Sequence, residues 1–267
     1  MAHDQEEAAR PHRRARGFLA PLRLALLAAA VAVLAAGGVA AFVLLSRSDD
    51  AAEPPSAVIV DQLELTVPNP AFVSEATAEL EGAGYQVDYV ASEAVNVDFF
   101  RGLAKGGYDI VLVRAHAGRR VSGDGITADI FTSEPYSSTS HAEEQREKRL
   151  LAGVYSEDLS LEDAVFTIPA EFVDAEMRGD FDGATVVLMG CDVLGGERLA
   201  EAFVERGAGA VVGWDDKVSA QHTDAATLSL LGHLLRERLP AAGATAAAMA
   251  DVGPDPYYGS KLVSYPR

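Results

Sequence analysis

From Ala57 onward the chain alternates short runs of β-forming residues with amphipathic stretches, and this rhythm predicts the order of its elements. The run AVIV, Ala57–Val60, reads as a first buried strand. In the stretch NPAFVSEATAELEGAGY that follows, Asn69 supplies an N-cap, Pro70 the first helical position and the closing glycines a stop, so a helix is expected. QVDYV is then a second strand, VDFFRGLAKGG a second helix and YDIVLVRA a third strand. Farther along, ATVVLM reads as a strand, GERLAEAFVERGAG as a helix closed by glycine and AVVGW as a strand. DAATLSLLGHLLRERL, with apolar residues three and four apart, is the helix after it. Strands joined through helices at this spacing need crossover connections. They predict one doubly wound α/β domain, with a mostly parallel sheet flanked by helices.

The rhythm breaks over about residues 119–183. GRRVSGDGITADIFTSEPYSSTSHAEEQREKRLL is long, polar and glycine-containing, and AVFTIPAEFVDAEM after it looks like a strand with a short helix. Long irregular insertions in compact α/β domains are usually lids or surface elaborations, so an excursion over one edge of the sheet is expected.

Upstream the pattern changes in kind. Residues 1–23 form a short basic tail carrying Arg10, Arg13, Arg14, Arg16 and Arg23, and Leu24 to Leu45 follows without one charged residue. At a helical rise of about 1.5 Å per residue that stretch spans roughly 33 Å, enough to cross a bilayer core. The arginines on its N-terminal side, against Arg47, Asp49, Asp50 and Glu53 beyond it, predict a cytoplasmic N-terminus and a domain outside the cytoplasm. A cleaved signal peptide ending near Ala35, Ala36 and Gly37 is the other reading, but its apolar region would run only about 7–15 residues. The polar, proline-bearing segment 46–55 reads as a linker, and 56–267 as the α/β domain.

Composition narrows the function. An apolar share of 49% with 23% charged residues supports a sizeable core, and a net charge of -18 excludes a nucleic-acid binder, which needs a concentrated cationic face. The one cysteine allows no disulfide within the chain. His222 and His233 are not spaced as metal ligands on one turn, and His141 has no matching ligand pair. GDGITADIF lacks calcium-loop spacing and no phosphate-binding G-x-x-x-x-G-K-[ST] loop occurs, so neither metal nor cofactor is expected.

In open parallel sheets, ligands bind beyond the carboxyl ends of the strands. His116 follows DIVLVRA and Cys191 follows TVVLMG, so neighbouring strands would bring a base and a nucleophile to one rim. A thiol needs a nearby cation or helix N-terminus to ionise near neutral pH. His116 and the helix starting near Gly196 or Glu197 are candidates for both, whereas Asp192 opposes them. Gly118 and Gly190 would let backbone N–H groups approach an oxyanion. Burial alone also accounts for a lone cysteine after a strand.

The stretches VLVRAHAG and VVLMGCDVLGGERLAEAFVERGAGAVVGWDD, with DPYYGSKLVSY near the C-terminus, resemble the caspase-like cysteine peptidases, above all their CHAT and gingipain-like branch. The resemblance covers about residues 57–265 and implies a three-layer caspase-like sandwich. It implies Cys191 as nucleophile, His116 as base, the backbone N–H groups of Gly118 and Cys191 as oxyanion hole, and a substrate pocket around Trp214. Here Ala117 stands between His116 and the glycine that the family places directly after its histidine. Asp192, Asp215 and Asp216 would favour a basic residue in a peptide or protein substrate. Alternatively, Asp215 and Asp216 only turn the chain and cap the next helix. Arg146, Lys148 and Arg149 in EEQREKRLL offer an internal substrate for self-processing. An inactive family member serving as a membrane-tethered recognition module is the alternative function.

Overall fold

The centre of the fold follows from strands apolar on both faces, which only a sheet covered by helices on each side can satisfy. The structure, a computed structural model, describes residues 54–266 apart from 124 and 157. The apolar segment 24–45, the basic tail and most of the linker lie outside the described residues, among which no helix is long and apolar enough to cross a membrane.

Strand β1 (Ser56–Asp61) lies between β2 (Gln86–Ala91) and β3 (Ile110–Arg114). Beyond β3 come β8 (Thr185–Leu188), β9 (Ala210–Trp214) and β10 (Leu262–Tyr265), giving a six-stranded sheet in the order β10-β9-β8-β3-β1-β2. All its pairings are parallel except β10 with β9. Because successive side chains alternate between faces, the strands feed two cores. Ala57, Ile59, Leu112, Val187 and Val212 pack under helices α1 (Pro70–Gly82), α6 (Ala220–Leu235) and α7 (Ala241–Val252). Val58, Val60, Val111, Val113, Val186 and Leu188 pack on the other face with α2 (Val97–Gly102), α4 (Ala170–Ala175) and α5 (Arg198–Glu205). Asn69 caps α1 as its sequence predicts, accepting the Phe72 N–H at 3.2 Å. Full burial of side chains such as Phe72 and Leu80 contributes about 1.5–3 kcal/mol each.

The insertion is more regular than its composition suggested. Strands β4 (Ala117–Ser122), β5 (Gly125–Pro135), β6 (Leu151–Gly153) and β7 (Val165–Ile168) build a second, antiparallel sheet in the order β4-β5-β7-β6. Several of its polar residues are buried, which hid the strands. The Asp129 carboxylate accepts from the Arg120 Nε–H at 2.9 Å, and Thr132 donates to the Phe166 carbonyl at 2.8 Å. Ala128, Ile130, Phe166 and Ile168 face the main core and fasten this sheet to it. The short helix α3 (Ala142–Arg146) lies between β5 and β6, where Arg101 donates to Glu144 at 3.0 Å and Arg149 pairs with Glu176.

Candidate active site

Strands β3 and β8 are hydrogen-bonded neighbours, with Val113 opposite Leu188, so His116 and Cys191 leave the sheet from adjacent strands at the same edge. The segments carrying them touch. A Cβ on Gly190 would stand 2.7 Å from the Ala117 Cβ and 2.8 Å from the Ala115 carbonyl oxygen, so the approach requires glycine. Beyond it, Arg119 Nη1 lies 3.6 Å from Asp192 Oδ1. The crevice bounded by Ala115, His116, Ala117, Gly190 and Val193 is too narrow for a water molecule.

The imidazole has its own set of neighbours. Its Nε2 is 3.4 Å from the Thr66 hydroxyl, and its ring packs at 5.0 Å from Tyr155 and 6.3 Å from Phe131. The backbone N–H of His116 donates to the buried Gln62 side chain at 3.0 Å, and Gln62 in turn donates to the Tyr155 hydroxyl at 3.1 Å. Burial, followed by the Arg114 cation, pushes the His116 pKa down. That shift favours the neutral ring, the form a base requires.

Cys191 is half-buried and packs against the core that holds Trp214 and Val218. Its Sγ accepts the Val218 N–H at 3.4 Å and donates to the Val218 carbonyl at 3.6 Å. Burial pushes the thiol pKa up against the Val218 N–H, and the Asp192 charge adds to the rise. Among the described residues no hydrogen bond joins Cys191 to His116. Helix α5 begins at Arg198 with the carboxylate-bearing Glu197 at its cap, an arrangement that offsets the positive helix end expected to assist the thiol.

The remaining expected residues divide into rim and core. Gly118 stands opposite Asp129 within the β4–β5 ladder, not on an open loop. Trp214 is 0% exposed, donates through Nε1 to the Thr223 hydroxyl at 2.9 Å and packs on His222, so its indole faces the core. Asp192, 2% exposed, adopts φ 57, in the left-handed region, and its Oδ1 accepts no hydrogen bond. Asp215 and Asp216 are exposed. They accept the N–H groups of Lys261 and Lys217 at 2.7 and 2.8 Å, while Ser219, whose hydroxyl donates to Asp255, holds the N-cap position of α6 without a side-chain cap bond. Arg146, Lys148 and Arg149 lie in and after α3, a folded turn unlike the extended chain a peptidase takes.

Two features escaped the sequence reading. A buried cation, Arg114, ends β3 and donates to Asp61 at 2.8 Å, to Asp224 at 2.8 and 3.0 Å, and to the Val67 carbonyl at 2.9 Å. An arginine closing an otherwise apolar strand was the available signal. Gln62 and Tyr155, which hold His116, left no such signal.

The open grooves lie away from the thiol. One of about 560 Å³ crosses the second sheet between Gly118, Arg120, Asp129, Phe131, Gly153 and Thr167, where burial lifts the Asp129 pKa to about 6 despite Arg120. A cleft of about 870 Å³ opens near the start of β1, lined by Pro55, Glu79, Tyr85, Arg236 and Arg238 among others. Among the described residues no group of three potential metal ligands occurs.

Fold and rim together define an α/β protein in which a histidine and the only cysteine follow adjacent parallel strands. No protein-family model matches the chain, and no curated protein matches it.

Proposed function

We propose that the chain is a membrane-anchored thiol peptidase of the caspase-like type, with its catalytic domain outside the cytoplasm. One observation carries this reading: His116 and Cys191 follow neighbouring strands at one sheet edge, with the residues around Gly190 and Ala117 in contact. The uncharged stretch 24–45 behind an arginine-rich tail supports the anchor and its direction. Catalysis requires the imidazole to swing from Thr66 toward the thiol as substrate binds. His116 then takes the thiol proton, the sulfur attacks the scissile carbonyl, and His116 returns the proton to the departing amine. Water cleaves the resulting thioester and restores the thiol.

A non-catalytic recognition module on the same anchor is the second reading, favoured by the raised thiol pKa and its bonds to Val218. Hydrolysis of a mixed peptide library by the full chain, followed by mass spectrometry, separates the two. The peptidase reading expects cleavage that disappears in both Cys191→Ala and His116→Ala. Products that persist in Cys191→Ala, or no products at all, would leave the recognition module.

A further inference from the structure

Helix α6 grips both strands of the candidate dyad through two consecutive residues. The Thr223 hydroxyl donates to the carbonyl of Met189, just after β8, at 3.2 Å. Next to it, Asp224 accepts two hydrogen bonds from Arg114, which ends β3. The same guanidinium reaches Asp61 at the end of β1 and the Val67 carbonyl in the turn before α1, and lies 5.7 Å from the Phe72 ring centroid. Asn69 donates to Asp224 at 2.9 Å and closes the network. Arg114 is 0% exposed, and its planar fork can meet these acceptors at once, which a lysine ammonium cannot reproduce.

The turn that Arg114 holds carries Thr66, the side chain nearest the imidazole nitrogen, and begins at Gln62, which takes the His116 N–H. We propose that Arg114, clamped by Asp61 and Asp224, is the positioning residue of the rim: it locks the turn of residues 62–67 against β3 and so sets the resting direction of the His116 ring, from which it swings toward Cys191 when substrate binds. This role rests on His116 being the base of the proposed reaction. Arg114 never touches substrate; it acts through Val67, Thr66 and the strand end. The charged group acting on the imidazole is Arg114 at the end of β3, and Tyr155, from the segment after β6, packs against its ring, while Asp61 and Asp224 face Arg114 itself.

Nuclear magnetic resonance of the labelled full chain tests the role. In the unaltered protein a slowly exchanging Arg114 Nε proton and a cross-peak between the Thr66 methyl and the His116 ring are expected. Their absence overturns the proposal before any substitution is made. Arg114→Met alone strands two buried carboxylates, so the informative variant is R114M/D61N/D224N, which removes all three charges while keeping volume. In it, amide exchange over residues 62–67 should accelerate at least about tenfold, corresponding to about 1.4 kcal/mol of local opening. The Thr66–His116 cross-peak should vanish and the His116 titration should move upward. Loss of the Arg114 cation alone accounts for that upward move, so the cross-peak decides: a purely structural clamp would change overall stability but leave the cross-peak in place, and such a result in the folded variant overturns the proposal. Labelling of Cys191 by a peptide-based electrophile that is equal in wild type and His116→Ala would instead sink the dyad while leaving these resonances intact.

Discussion

The strand ends that carry His116 and Cys191 share one sheet edge and little else. His116 is held from three directions, through Gln62 at its backbone, Thr66 at its ring nitrogen and Tyr155 against its face. The Cys191 sulfur hydrogen-bonds one residue, Val218, which both donates to and accepts from it. A parallel sheet fixes where backbones end, because its ladder is repetitive. The direction of a side chain beyond that end is set by loops arriving from elsewhere. In this resting arrangement the rim brings the two residues' segments into contact and keeps their reactive atoms on different partners.

The largest effect should come from breaking the histidine end. Arg114→Met leaves Asp61 and Asp224 buried without their cation, and a loss of about 3–5 kcal/mol is expected in chemical denaturation. A loss below about 1 kcal/mol would mean that water already reaches those carboxylates.

The cysteine end is held at one remove. Asp255 accepts the N–H and hydroxyl of Ser219, beside Val218, and the N–H groups of Tyr257 and Tyr258. Burial opposes ionisation there, yet the Ser219 bonds and those from Tyr258 and Tyr257 hold the Asp255 pKa at about 2. A depressed carboxylate stabilises the fold above its unfolded value, and that contribution is lost as pH falls from about 4 toward 2. Asp255→Ala should therefore cost about 3 kcal/mol at pH 7 and much less at pH 2, while raising Cys191 accessibility to small alkylating reagents. Equal losses at both pH values would contradict this.

The second sheet offers a smaller effect of opposite sign. The Asp129 pKa is raised to about 6, so between about pH 4 and 6 the folded form holds a proton that the unfolded chain has released. Its stabilising contribution falls as pH rises from about 4 to 6. Relative to Asp129→Asn, wild type should lose about 2 kcal/mol across that interval, measured by denaturation at each pH. A flat difference would mean that Arg120 keeps the carboxylate ionised.

The same contrast separates what the sequence disclosed from what it did not. Strands such as IVLVR and TVVL are buried on both faces and announce themselves through apolar runs, so their order along the chain was legible, whereas the pairing of β3 with β8 stayed a condition that only the sheet order meets. Thr127, Asp129 and Thr132 gave β5 the look of a loop, because the groups that satisfy Asp129 and Thr132 lie on other segments. The turning of His116 toward Thr66 was equally hidden, since Gln62 and Tyr155 reach it across the fold.

The most direct test of the central claim is paired alkylation of Cys191 in the full chain, by iodoacetamide and by a peptidyl acyloxymethyl ketone, each with and without His116→Ala. The account predicts slow iodoacetamide labelling at pH 7, as the burial-raised thiol requires, unaffected by His116→Ala. It predicts much faster labelling by the peptide reagent, which supplies the contacts of a substrate, and loss of that advantage in His116→Ala. If both reagents react slowly until the chain unfolds, Cys191 is a packing residue and the dyad is refuted.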